Sequence, residues 1–130
     1  MHIIGKLDIN KLKAYQKKLI TNDVIMTNER LYQHILIYHK SEYEQLRKYI
    51  KDIIEKPDYI IEDNRHNDTM IYLKEFDNLK GRIIIKLALG QDKEHNKNSI
   101  ITIMKLNDRT WKQTIKNRGK IVWQKLDKIE

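Results

Sequence analysis

Arg30 and His34 stand four positions apart. On a helix that spacing stacks them on one face, so a guanidinium that can clamp a phosphate stands beside an imidazole that can carry a proton. Histidine suits proton transfer because its ordinary pKa, about 6.5, keeps both forms available near neutrality. A second imidazole, His39, follows five residues after the first. That offset is about 140° around an ideal helix, so the two share a face only if the helix ends or bends between them. His39 precedes Lys40-Ser41, at a helix terminus where the C-terminal dipole favours a protonated imidazole; a plain capping histidine is the alternative. Lys86 projects from the middle of an apolar strand, on its less apolar face, where an ammonium needs either solvent or an anion. Ser99 and Thr102 bring hydroxyls. Three positions apart in an unbroken strand, they face opposite ways, so at most one lines a site with Lys86, and Thr102 is preferred.

Several chemistries are excluded. The chain has no cysteine, which removes disulfides, thiolate nucleophiles and thiolate zinc sites. It has no His-x-x-x-His, no acidic cluster at metal-ligand spacing, no glycine-rich phosphate loop and no Gly-x-Ser-x-Gly elbow. No metal and no cofactor is expected. His2, His66 and His95 fall in a terminus or in polar loops and are set aside. No apolar run approaches the roughly 20 residues that span a bilayer, and no signal peptide opens the chain, so a cytoplasmic protein without membrane contact is expected.

The net charge of +8 is unevenly placed. Residues 1–95 carry 17 basic against 15 acidic residues, whereas residues 96–126 carry eight basic residues against Asp108 alone. That basic block includes Lys97 and Lys105 and is interleaved with Trp111 and Trp123, a pattern suited to a polyanion with bases that stack. A solubilising surface is the bland alternative.

The elements that must position these residues follow from periodicity. Ile9, Leu12, Tyr15 and Leu19 have helical spacing over Asp8–Leu19. Val24-Ile25-Met26 suits a short edge strand, and Thr27 an N-cap. The helix after it carries Leu31, Ile35 and Tyr38 on one face. Ser41 caps a further helix, with Glu44 in the capping-box position and Tyr43, Leu46, Ile50, Ile53 and Ile54 in its core stripe, ending at Lys56-Pro57. Beyond Pro57 the period becomes strand-like: Tyr59–Glu62, Thr69–Phe76, a loop at Asp77–Gly81, Arg82–Leu89, and Ser99–Met104. Asn107 or Asp108 caps a short basic helix through Asn117, and Ile121-Val122-Trp123 closes the chain. Asn67 and Thr69 read as turn residues. The prediction is one α+β domain over residues 1–130, mainly helical over 1–57 and sheet with a short basic helix over 58–126. Its N-terminal helices pack on one face of a four- to five-stranded antiparallel sheet and leave the other face open.

An ordered set of motifs runs through the chain: Val24-Ile25-Met26-Thr27-x-x-Arg30, His34-Ile35, His39, Tyr43, Pro57-Asp58-Tyr59-Ile60, Asn67-x-Thr69, Ile85-Lys86-Leu87, Lys97-Asn98-Ser99-Ile100-Ile101-Thr102, Trp111 and Ile121-Val122-Trp123. Together these resemble the phage-associated branch of the barnase/EndoU/colicin/RelE-like nucleases, over nearly the whole chain. The resemblance implies a barnase-like ribonuclease fold with its site on the open sheet face. It further implies metal-independent cleavage of RNA, with tRNA a candidate target, a role as a toxin or effector of phage and mobile elements, and an immunity or antitoxin partner. In that chemistry a base takes the ribose 2′-OH proton, an acid protonates the leaving 5′-oxygen and a cation stabilises the phosphorane. His34 and His39 are the candidate acid and base, Lys86 the cation and Thr102 a hydrogen-bond donor. Arg30, Ser99, Lys97, Lys105 and Trp111 are the candidate substrate-binding residues. The bland readings are a helix histidine tucked against the sheet for His34, a surface lysine for Lys86 and a core aromatic for Trp111. At the level of function, a non-catalytic nucleic-acid-binding module or a protein-interaction module of a phage protein is the alternative.

Overall fold

The computed structural model describes residues 3–90 and 97–126. It opens on a strand where no period predicts one: β1 (Ile3–Lys6) pairs antiparallel with β2 (Asp23–Ile25). The stretch between them, expected as a helix over Asp8–Leu19, forms two short 3-10 turns, Ile9–Lys11 and Lys13–Tyr15. Asp8 caps the first, accepting from the Asn10 N–H. Leu12 then leaves helical geometry at φ −118° and ψ 53° as it inserts into the core, so burial of one side chain overrides the helical spacing.

Thr27 caps the next helix as expected, its Oγ1 accepting from the Arg30 N–H at 3.1 Å. α1 (Asn28–Arg30) runs into a π turn at Leu31–Ile35 and then α2 (Leu36–Tyr38). The wider turn shifts the residues after it around the axis: Ile35 stays buried, but Tyr38, expected on the same core face, is 68% exposed. No helix starts at Ser41. α3 (Lys40–Leu46) follows directly through His39, and Ser41 makes no capping bond. A 3-10 turn at Arg47–Tyr49 separates it from α4 (Ile50–Glu55), while Leu46, Ile50, Ile53 and Ile54 are buried as their stripe requires.

After Pro57 come β3 (Tyr59–Asp63), β4 (Thr69–Phe76), β5 (Leu79–Lys86), β6 (Asn98–Leu106), α5 (Asp108–Asn117) and β7 (Gly119–Gln124). The β4–β5 loop is only Asp77-Asn78, because Phe76 already pairs with Leu79. Asn107 is the α5 cap, accepting from the Thr110 N–H at 2.8 Å. A Cβ on Gly119 would strike the carbonyl oxygen of Glu62, so β7 can approach β3 this closely only through glycine.

The protein is α+β, but the sheet differs from the four to five antiparallel strands expected. Among the described residues seven strands lie in the order β1-β2-β6-β5-β4-β3-β7, and β2 runs parallel to β6 through Val24–Asn98 and Ile25–Ser99. Strands of three or four residues are too short to show a period of two, which is why β1 is silent in the sequence. Both N-terminal strands lie within the part read as mainly helical.

The sheet has two packed faces. On the first, Ile83, Ile85 and Leu87 meet Ile35, Leu46, Ile53 and Ile54 of the N-terminal helices. The second, expected open, is partly covered: Trp111 and Ile115 of α5 pack on Ile61, Ile71, Leu73 and Ile84. The basic character of α5 conceals this short apolar stripe in the sequence.

A buried side chain bridges the parallel joint. Asn98 is fully buried; its Oδ1 accepts from the Ala88 N–H at 2.8 Å, and its Nδ2 donates to the carbonyls of Thr21 and Asp23, each at 2.9 Å. Replacing it leaves buried backbone groups without partners, at about 1–3 kcal/mol each. Asn98→Leu is expected to lower stability by about 3 kcal/mol or more, measured by urea unfolding, and Asn98→Asp not to restore it.

Candidate functional site

Alternation along β5 sends Arg82, Ile84 and Lys86 to the second face. Directly paired antiparallel residues project to the same side, so their partners on β6 join them: Met104 opposite Arg82, Thr102 opposite Ile84 and Ser99 opposite Lys86. The register slips by one residue here. Thr102 faces Ile84 while Ile100 faces Ile85, leaving Ile101 as the extra residue of a bulge. The bulge puts both Ser99 and Thr102 on the face of Lys86, which corrects the expectation that only one could be there. An unbroken strand was the wrong premise.

This floor is rich in polar groups that lack acidic partners. The Lys86 ammonium donates to the Asn67 carbonyl at 3.4 Å and has no carboxylate within ion-pair distance among the described residues. Asn67 keeps its turn role, its carbonyl also accepting from Thr69 Oγ1 at 3.0 Å. Among the described residues the buried Thr102 hydroxyl has no hydrogen-bond partner. Arg82 is buried as well; its Nη2 meets the Met104 thioether, and its Nε has no acceptor among the described residues. One wall of the floor is α5. At its C-terminal end Arg118 bonds both carboxylate oxygens of Asp63, at 3.2 and 3.3 Å, and the Arg65 N–H donates to Asp63 Oδ1 at 2.9 Å. Burial alone would raise the Asp63 pKa; the Arg118 and Arg65 bonds outweigh it and hold the carboxyl below its ordinary value.

The imidazoles stand along the edge of β6 that β2 leaves uncovered. Glu42 ties them there: its Oε2 accepts from the Lys105 N–H at 2.9 Å, and its Oε1 lies 3.3 Å from His39 Nδ1. The rings of His34 and His39 are 6.1 Å apart. The π turn, whose hydrogen bonds join residues five apart, and the break at His39 (φ −139°) supply the bend that a five-residue offset requires. Arg30 and His34 line one cleft of about 350 Å³ with Thr27, Glu29 and Gln33. His34 is half-buried rather than enclosed by the core. Partial burial, then the charge of Arg30, then His39, lower its pKa from the ordinary value.

The two groups are connected through the sheet. Ile25, Ser99 and Lys86 occupy one row across β2, β6 and β5, so strand spacing places Ile25 and Lys86 roughly 10 Å apart. Thr27, two residues beyond Ile25, starts the helix that carries Arg30 and His34. No hydrogen bond joins His34 to Lys86 or Thr102 among the described residues.

Other candidates lie elsewhere. Trp111 is 8% exposed and packs edge-on to Tyr59 at 6.0 Å, so its faces serve the second core and are not offered to a base. Lys97 pairs with Asp23 at 3.4 Å, and the exposed Lys105 donates to Gln45 Oε1 at 3.2 Å. His2 and His95 lie outside the described residues. Glu42, Arg82, Asp63 and Arg118 carry no motif. The one signal available for Arg82 was its alternation onto the face of Lys86. Two exposed tyrosines, Tyr32 and Tyr38, accompany the imidazoles, Tyr38 with its ring 5.3 Å from His34.

A family model described as phage-Barnase-EndoU-ColicinE5/D-RelE like nuclease2 matches residues 1–124. Comparison with curated proteins and with solved structures finds no match.

The Asp63–Arg118 pair sets an acid limit on stability. A depressed folded-state pKa contributes stability that is complete above the unfolded value, about 3.9, and is lost as pH falls through the folded value. Thermal unfolding followed below pH 4 is expected to show this loss, with a shallower pH dependence in Asp63→Asn. At neutral pH Arg118→Ala, which strands the buried carboxylate, is expected to cost about 3 kcal/mol.

Proposed function

The chain belongs to the phage-associated nuclease family whose model it matches, and from that premise we propose that it is a metal-independent endoribonuclease of barnase-like fold. The observation that carries the reading is Lys86, which has no acidic partner among the described residues, beside two hydroxyls aligned by the β6 bulge, with Arg30, His34 and His39 on the helix that follows β2. In this reading cationic side chains balance the charge of the phosphorane.

In this mechanism His34 removes the proton from a ribose 2′-OH. The 2′-oxygen attacks phosphorus, the bond from phosphorus to the 5′-oxygen breaks, and His39 gives the leaving oxygen its proton. The products are a 2′,3′-cyclic phosphate and a 5′-hydroxyl. Lys86 and Arg30 hold the non-bridging oxygens as negative charge develops, and Thr102 and Ser99 donate to the same group. The lowered pKa of His34 keeps its imidazole neutral at pH 7, the state a base requires. Glu42 orients His39. The requirement for a 2′-OH makes RNA the substrate and DNA a bound but uncut competitor. A toxin or effector role, cytoplasmic action and an immunity partner accord with the phage association of the family. No helix among the described residues is long and apolar enough to cross a membrane.

Incubation with total RNA in EDTA, with end-group analysis, tests the reading. Cyclic phosphate ends are expected from the wild type, with a loss of about 10²–10⁴-fold in His34→Ala and of comparable size in Lys86→Ala. Undiminished cleavage by His34→Ala removes that residue from the mechanism, and salt-sensitive RNA binding without any cleavage replaces the enzyme with a binding module. The pH profile provides a further check. Because His34 must be deprotonated to act, kcat/KM is expected to rise with pH along a limb whose midpoint lies below about 6.5. Arg30→Gln, which removes a neighbouring positive charge, is expected to move that midpoint upward.

A further inference from the structure

Next to the floor lies a cleft that this chemistry does not use. Arg82 enters it from β5, Arg65 from the β3–β4 turn and Arg118 from the end of α5; Thr110, Gln113 and Asn117 form its helix side, and its volume is about 350 Å³. Three guanidiniums thus converge near one carboxylate, and that carboxylate, Asp63, is already bonded to Arg118 and to the Arg65 backbone. Arg82 is more than nine-tenths buried, yet its Nη2 meets only a thioether and its Nε has no acceptor. Burial, followed by the like charge of Arg118, disfavours its charged form. A buried guanidinium is ordinarily paired. Guanidinium forks match the oxygens of phosphate as well as those of a carboxylate, and the side-chain amides of Gln113 and Asn117 in the α5 wall add donors without adding negative charge.

We propose that this cleft is a phosphate-binding subsite, in which Arg82, Arg65 and Arg118 hold a phosphate group and Gln113 and Asn117 complete its hydrogen bonds. The phosphate has two sources: a backbone phosphate of a nucleic-acid strand continuing from the Lys86–Ser99 floor, or a free phosphate or mononucleotide. Only the strand source rests on the nuclease reading above. The subsite itself stands on the arginine geometry.

The test is an NMR titration of the full chain, observing arginine Nε–H signals and the amides of Thr110, Gln113 and Asn117. Inorganic phosphate, AMP and a non-cleavable 2′-O-methyl pentanucleotide are the probes, with chloride at matched ionic strength as control. Saturable shifts of the Arg82 Nε–H and the three amides are expected with phosphate and not with chloride. Arg65→Gln, at an exposed position, is expected to weaken binding at least tenfold, and Arg82→Met to abolish it. Should Arg82→Met not fold, Arg65→Gln decides alone. A pentanucleotide binding at least tenfold tighter than phosphate identifies the strand; AMP binding as tightly as the pentanucleotide identifies a free nucleotide. His34→Ala is expected to bind inorganic phosphate as the wild type does, so an inactive nuclease leaves this result readable. Absence of saturable shifts in the wild type, or wild-type affinity in Arg65→Gln, overturns the proposal.

Discussion

The buried carboxamide of Asn98 governs where the site residues stand. Its three hydrogen bonds reach the end of β5 at Ala88 and the entry to β2 at Thr21 and Asp23. A parallel pair of only two registered residues, Val24–Asn98 and Ile25–Ser99, has little ladder of its own, and the amide satisfies the backbone groups that so short a pairing leaves over. Because β2 leads within two residues into Thr27 and its helix, holding β2 against β6 also anchors the start of the helix that carries Arg30 and His34. The same bonds therefore join the imidazole side of the site to its lysine side.

Two local departures from regular backbone then bring the chemistry together. In β6 the extra residue Ile101 rotates the strand so that Ser99 and Thr102 share the face of Lys86. In the helix the π turn over Leu31–Ile35 and the break at His39 bring two imidazoles five residues apart to a ring separation of 6.1 Å. Bulges and π turns disturb an otherwise regular ladder, and both occur with some frequency at functional sites. Here each one converts a spacing that regular geometry would split into a spacing that converges.

Charge on the second face follows from what α5 covers. Its apolar stripe, Trp111 with Ile115, closes over β3 and β4, while its polar side stands over β5 and leaves Arg82 buried without a carboxylate of its own. Asp63 satisfies Arg118 and little else. A face that is positive, partly desolvated and short of acceptors is a place where an anion interacts more strongly than at an open surface. This links the basic C-terminal quarter of the sequence to a location in the fold, although Lys97 and Lys105 themselves are engaged in side-chain contacts elsewhere.

The sequence by itself determined the α+β class, the strands beyond Pro57, the Thr27 cap, the core stripe through Leu46, Ile50, Ile53 and Ile54, and the side of β5 to which Lys86 belongs. Each is a local periodicity or a cap, and local patterns survive folding because burial repeats along the element. Family membership was legible too, since it lies in the order of many weak motifs. Only the tertiary structure decided the parallel β2–β6 joint, the cover that α5 gives the second face, the burial of Trp111 and the outward turn of Tyr38. It also decided the company of Ser99 with Thr102 and of Arg82 with Arg65 and Arg118. These depend on one-residue shifts of register and on contacts between segments some 20 to 75 residues apart, and neither leaves a period in the chain. A single inserted residue reverses which way every later side chain points, so the face of a strand or helix beyond such a shift is settled by what packs against it.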